Sequence, residues 1–97
     1  MTVTVPLAEL RQDEGTLVVA GGRRIALFLT RQGPRAVDAA CPHAGGPLHD
    51  GIVSGVRVTC PLHLRRVDLE TGEVDDCAER VRCYPVHLAG QDVVLDL

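Results

Sequence analysis

The chain reads as an all-β fold, an antiparallel β-sandwich or barrel, and three observations predict it. Apolar residues fall in short runs rich in Val, Ile and Leu. Glycine turns recur between the runs at close intervals, and no segment of any length carries a helical period. With 97 residues there is room for one domain and a small core. Aromatics make up 2% of the chain and Trp is absent, so aliphatic side chains must fill that core.

The elements follow in order. Residues 2–5 (TVTV) alternate in strand fashion, and Pro6 ends the alternation. Residues 7–10 make a short connector. A β-branched-rich run over 17–20 is followed by Gly21-Gly22 and a returning strand over 23–30; two glycines accept the positive φ of a primed hairpin turn. Gln32-Gly33-Pro34 supplies the next turn and residues 35–40 the next strand. After a loop over 41–50, residues 51–53 and 56–60 pair across a turn at Ser54-Gly55. This hairpin delivers Cys60 at its end, facing back towards Cys41. Beyond a second loop, residues 66–69 form a strand, Glu70-Thr71-Gly72 turns the chain, and Glu73-Val74 returns. A polar segment over 75–80 leads to a strand over 81–88, and Ala89-Gly90-Gln91 turns into the last strand, 92–97.

Net charge is −3, and all basic residues are Arg. Without a basic stripe, a nucleic-acid partner is not expected. Acidic residues thicken at Glu70, Glu73, Asp75, Asp76 and Glu79, which reads as a solvated turn, with a docking face for a basic partner as the alternative. The first ten residues lack a basic start and a long apolar run, and no stretch approaches the roughly 20 apolar residues of a membrane span. The expectation is a cytoplasmic protein without a membrane partner, in which Cys residues more often bind metals than form disulfides.

The chemistry sits in Cys41-Pro42-His43 and Cys60-Pro61-Leu62-His63. A Cys-x-His pair puts both donors within one tight turn, and Pro42 between them restricts the backbone that aims them. Gly45-Gly46 lets that loop fold closely over a bound centre, and Pro47 stiffens its exit. The second loop repeats the design with Pro61 after Cys60. Zinc fingers pair like ligands in sequence, whereas each pair here is mixed. The mixed pairs favour a [2Fe–2S] cluster with Cys41 and Cys60 on one iron and His43 and His63 on the other. Two ferric ions, two sulfides and two thiolates sum to zero charge, so one-electron reduction leaves a single negative charge, which is easier than in an all-Cys cluster. A zinc-stabilised, non-redox binding module is the competing reading.

The run C-P-H-x-G-G-P-L, then C-P-x-H, then D-L-x-T-G resembles the Rieske ferredoxin-like family across residues 41–72, and the strand pattern on both sides is similar. The resemblance implies a single Rieske [2Fe–2S] domain over 1–97, with the cluster-binding part, a subdomain of two loops, at about 41–72. It implies Cys41 and Cys60 on the inner iron, His43 and His63 on the outer one, and no catalytic residue. The high-potential respiratory branch carries a further Cys in each loop, joined as a disulfide. The corresponding positions here are Gly46 and Leu62, so that bridge is impossible, and Arg65 and Val67 stand where that branch places hydroxyl donors. A potential near the low end of the family range, which runs from roughly −150 to +300 mV, is implied. Residues 51–53, 58–63, 68–73 and 81–86 (VRCYPV) are similar to the small subunit of NAD(P)H-dependent nitrite reductase. That implies an electron-transfer subunit serving a large flavin- and sirohaem-bearing subunit that reduces nitrite to ammonia. Ferredoxins of ring-hydroxylating dioxygenases share much of the pattern, which implies a ferredoxin reductase and an oxygenase as partners instead. Leu64 replaces the usual Gly or polar residue of the family, and Val67 the common Phe.

Four other residues stand out. Cys77 and Cys83 read as small buried hydrophobes, His49 as an exposed loop histidine that could also touch a partner, and His87 as an outward strand residue. Arg65 and Arg66 flank the second loop and are either solvated or steer an acidic partner.

Overall fold

A computed structural model describes residues 1–41, 46–62 and 64–97. Among them the strands are β1 (Thr2–Pro6), β2 (Gly15–Ala20), β3 (Arg23–Thr30), β4 (Gly33–Asp38), β5 (Ile52–Ser54), β6 (Arg57–Thr59), β7 (Arg66–Asp68), β8 (Cys83–Tyr84), β9 (Val86–Ala89) and β10 (Asp92–Asp96), with 3-10 turns at Leu7–Glu9 and Leu48–Asp50. All strand pairs within the sheets are antiparallel. The sheets run β1-β10-β9, β2-β3-β4-β8 and β5-β6-β7. The all-β expectation is met.

β3 organises the molecule. Its run Ile25-Ala26-Leu27-Phe28 is wholly buried, as an unbroken apolar strand must be when both faces are covered. Because side chains alternate, Ile25 and Leu27 enter one core with Ala36, Tyr84, Val93 and Leu95, beneath β10. Ala26 and Phe28 enter the other, with Val37, Leu48, Val58 and Val67, beneath β6 and β7. The four-stranded sheet is thus the middle of three layers, and the expected small core is two. The second core also takes in both Cys41 and Cys60.

The Gly21-Gly22 hairpin is as expected, with φ of +58° and +73° and Ala20 opposite Arg23. Other boundaries move. Thr30 pairs with Gly33, so the turn is Arg31-Gln32, and Gly33-Pro34 open β4. The Thr30 hydroxyl closes this turn, donating to the Gly33 carbonyl at 2.7 Å and accepting from the Gln32 N–H at 3.1 Å. The β5–β6 turn is Gly55-Val56, one residue later than expected, with Gly55 at φ +62°. Pro6 remains in β1 opposite Asp92. The strand expected over 81–88 is two strands in different sheets, β8 against β4 and β9 against β10. Pro85 lies between them and has no N–H to continue a ladder.

Candidate metal centre

The two loops close in the same way. The Cys41 N–H donates to the Gly46 carbonyl at 2.9 Å, and the Cys60 N–H donates to the Arg65 carbonyl at 2.8 Å. Each cysteine therefore opens a loop whose far end, five residues on, is tied back to it. The first loop is held at its base by an Ala40–Pro47 bridge and by the Leu48 N–H to the Ala39 carbonyl, 2.8 Å. Fully buried Leu48 anchors the 3-10 turn after it. The turn rests on β2 at Gly15, where a Cβ would collide with the His49 carbonyl. The second loop is tightened by the Leu64 N–H to the Cys60 carbonyl, 2.9 Å.

The loops meet at glycine. A Cβ on Gly46 would stand 2.6 Å from Cys60 Sγ and 3.4 Å from Leu62 Cβ. Positions 46 and 62, which the resemblance pairs in the respiratory branch, are thus neighbours here. Cys41 and Cys60 are at most 1% exposed and share one core. His43 and His63 lie outside the described residues, as do Pro42, Ala44 and Gly45. What is described fits a cluster: two buried thiols head twin loops, and a glycine keeps the space beside one sulfur clear. Among the described residues, no group of three or more His, Cys, Asp or Glu is placed to hold a metal ion.

The D-L-x-T-G run has a local cause. The Asp68 carboxylate accepts from the Glu70 and Thr71 N–H groups at 2.8 and 3.2 Å, and the Thr71 hydroxyl accepts from the Glu73 N–H at 3.2 Å. Gly72, at φ +80°, lies so close to the Val81 carbonyl that no Cβ fits. The acidic segment is paired with arginines: Arg35–Glu70 at 3.1 Å, Arg66–Asp75 at 3.0 Å and Arg80–Glu73 at 3.3 Å. Arg66 is therefore ion-paired, and Arg65 donates to the Asp76 carbonyl at 3.0 Å.

Two expectations need correction. His49 is not an exposed loop residue: its side chain is 18% exposed, and its buried Nδ1 has no hydrogen-bond partner among the described groups. It lines a cavity of about 220 Å³ with Arg24, Asp38, Ala39, Ala40 and Pro47. The signal was position, since it directly follows Leu48, but sequence alone does not say which way a 3-10 turn faces. Cys77 and Cys83 are half-buried against the core containing Cys41, and they are not joined to each other. Burial and the Asp68 and Asp38 carboxylates raise the Cys83 thiol above its ordinary 9.0. His87 points outward as expected.

Two residues that the sequence singled out, Tyr84 and Leu64, acquire their local roles only in the fold. The Tyr84 hydroxyl donates to Asp38 Oδ1 at 2.6 Å, and the guanidiniums of Arg82 and Arg23 lie 5.3 and 5.8 Å from its ring centroid. Asp38 lies three residues before Cys41, which opens the first loop, so this bond ties β8 to the loop's entrance. Leu64 has φ +59°, a left-handed conformation that costs a side-chain-bearing residue about 1–2 kcal/mol. This explains why Gly or a small polar residue suits the position.

The Rieske [2Fe-2S] domain model matches residues 1–85. The ferredoxin component of a naphthalene 1,2-dioxygenase system from Pseudomonas aeruginosa is 33% identical over 96 residues, covering 96% of this chain and 91% of that protein. The ferredoxin of carbazole 1,9a-dioxygenase from Nocardioides aromaticivorans superposes with a TM-score of 0.85 at 25% identity, covering 95% of this chain and 92% of that one. A Mycobacterium tuberculosis protein, described as the small subunit of an NADH-dependent nitrite reductase, superposes with a TM-score of 0.90 at 23% identity, covering 98% and 93%. No helix among the described residues is long and apolar enough to cross a membrane. The twin loops, the buried cysteines and these likenesses agree: the chain belongs to the Rieske [2Fe–2S] family of electron carriers, whose members bind one such cluster.

Proposed function

We propose that this chain is the ferredoxin component of an oxygenase system, carrying single electrons from a reductase to an oxygenase, with Cys41, His43, Cys60 and His63 as the cluster ligands. The observation that carries the ligand assignment is the pair of buried thiols, each opening a loop closed by its own N–H. Bound there, the [2Fe–2S] cluster accepts and returns one electron. The chain's own residues do the rest. Leu48, Val58 and Val67 exclude water from the two sulfurs, and the clamped loop bases hold the donors at one separation. The oxygenase-system role is supported by the 33% identity to the naphthalene ferredoxin over nearly the whole of both chains. The described thiols of Cys77 and Cys83, left unbridged, suit a reducing cytoplasm. The chain acts as a carrier, not as a catalyst by itself.

A second reading, the small subunit of a nitrite reductase delivering electrons to a large sirohaem- and flavin-bearing partner, is favoured by the VRCYPV block. That block supplies Tyr84 to the entrance of the first loop. The test is EPR on dithionite-reduced protein with iron and zinc assayed together, followed by a redox titration. The carrier reading expects a Rieske-type signal, two irons per chain, a potential low in the family range, and loss of the signal in Cys60→Ser. Zinc without a signal overturns it. Purified oxygenase and nitrite reductase partners then separate the two roles, since only the true acceptor reoxidises the carrier at a saturable rate.

A further inference from the structure

Asp38 is half-buried and lies three residues before Cys41, so their α-carbons are at most about 11 Å apart. The stretch between them is fixed in place. The Asp38 N–H donates to the Arg82 carbonyl and the Ala39 N–H to the Arg24 carbonyl, both at 2.9 Å, and Ala40 bridges to Pro47. The carboxylate itself is held by the Tyr84 hydroxyl at 2.6 Å. No direct ion pair cancels its charge: among the described residues, no Arg or His reaches ion-pair distance of Asp38. Arg23 and Arg82 lie against the Tyr84 ring instead, and Arg24 lines the neighbouring cavity. The charge is felt in the core that takes in Cys41. Behind burial and Asp68, Asp38 raises the Cys83 thiol, and Cys83 packs against that core.

We propose that Asp38 is a potential-setting residue, a fixed negative charge behind Cys41 that holds the reduction potential of this carrier down. The inference rests on the carrier reading above, with Cys41 as a ligand, and adds a residue outside the ligand set. One-electron reduction adds a negative charge beside the buried thiols, and a nearby carboxylate opposes it. Across about 10 Å, at an effective dielectric constant of about 20, a unit charge changes the reduction equilibrium on the order of tenfold. Tyr84 and the clamped backbone keep that charge at one distance from Cys41.

The test is a redox titration of the full, cluster-loaded chain, followed by its EPR signal. Asp38→Asn keeps the shape and an acceptor for Tyr84 but removes the charge. It should favour reduction on the order of tenfold, a rise of about 59 mV for one electron. Asp38→Ser, a second neutral variant, should raise the potential likewise. Asp38→Glu retains the charge and should stay near wild type. Tyr84→Phe breaks the same hydrogen bond with the charge in place, so it should not raise the potential. Asp92→Asn, at an exposed residue that opens β10, should leave it unmoved. An unmoved or lower potential in both neutral variants overturns the role of Asp38. So does an equal rise in Asp38→Glu, Tyr84→Phe or Asp92→Asn, since a loosened loop entrance or any lost carboxylate would then act alike. In those cases an intact Rieske-type signal leaves the carrier reading standing. A wild-type chain without that signal overturns the carrier reading, and the role of Asp38 with it.

Discussion

At the scale of single residues, Tyr84 shows how one hydroxyl links the return strand to the site. Burial comes first, then the hydrogen bond and the charge of Asp38, in raising its phenol above the ordinary 10.0; the nearby Arg23 works against them. The unfolded chain therefore releases this proton at a lower pH than the folded chain. Stability from the group is complete below pH 10 and falls as pH rises through the folded value. Cys83 acts in the same direction from pH 9 upward. Tyr84→Phe should cost about 1–2 kcal/mol at pH 7, because the Asp38 carboxylate loses its donor. It should also flatten the alkaline limb of the stability curve. Urea denaturation at a series of pH values checks both, and an unchanged alkaline slope would show that the phenol is not the responsible group.

At the scale of elements, the twin loops come close together at Gly46. Replacing Gly46 with Ala puts a methyl group 2.6 Å from Cys60 Sγ, a distance at which something must shift. The thiol heads a loop clamped at both ends, so the shift falls on the geometry of this proposed ligand more than on the fold. The variant should fold with the same far-UV spectrum but retain clearly less iron per chain than wild type. Normal iron content and an unaltered EPR signal would show that Cys60 adjusts without penalty.

For the whole molecule, the three-layer arrangement divides the risk of losing the cluster. Cys41 and Cys60 lie in the core shared by β3, β4, β6 and β7, whereas the core under β1 and β10 contains neither. Removing iron should therefore loosen one side first. Amide exchange after chelation should speed up in β5, β6 and β7 before it changes in β9 and β10, with β3 the last strand to open. Uniform loss of protection would mean that the two cores unfold as one cooperative unit.

Much of this was legible in the sequence, for reasons visible in particular residues. The run over 23–30 marked a strand, Gly21-Gly22 marked its hairpin, and the mixed Cys/His pairs pointed to the [2Fe–2S] cluster that the family binds; that residues 25–28 are covered on both faces came only with the fold. The first three are local facts, set by side-chain period, backbone freedom and donor chemistry within a few residues. Turn boundaries were less legible. Gly33 and Gly55 were recognisable as turn residues, but their register depends on which strand residues pair, and pairing is set by partners distant in sequence. Tertiary structure alone decided that Pro85 passes the chain from one sheet to another, that His49 turns inward beside Asp38, and that Tyr84 reaches the entrance of the first loop. It also decided that Leu64 takes the left-handed backbone while facing solvent. The sequence by itself thus determined which cluster chemistry to expect, because donor type travels with the residue. The folded chain decided the surroundings of that chemistry, because burial, contact and exposure belong to pairs of residues that only the fold brings together.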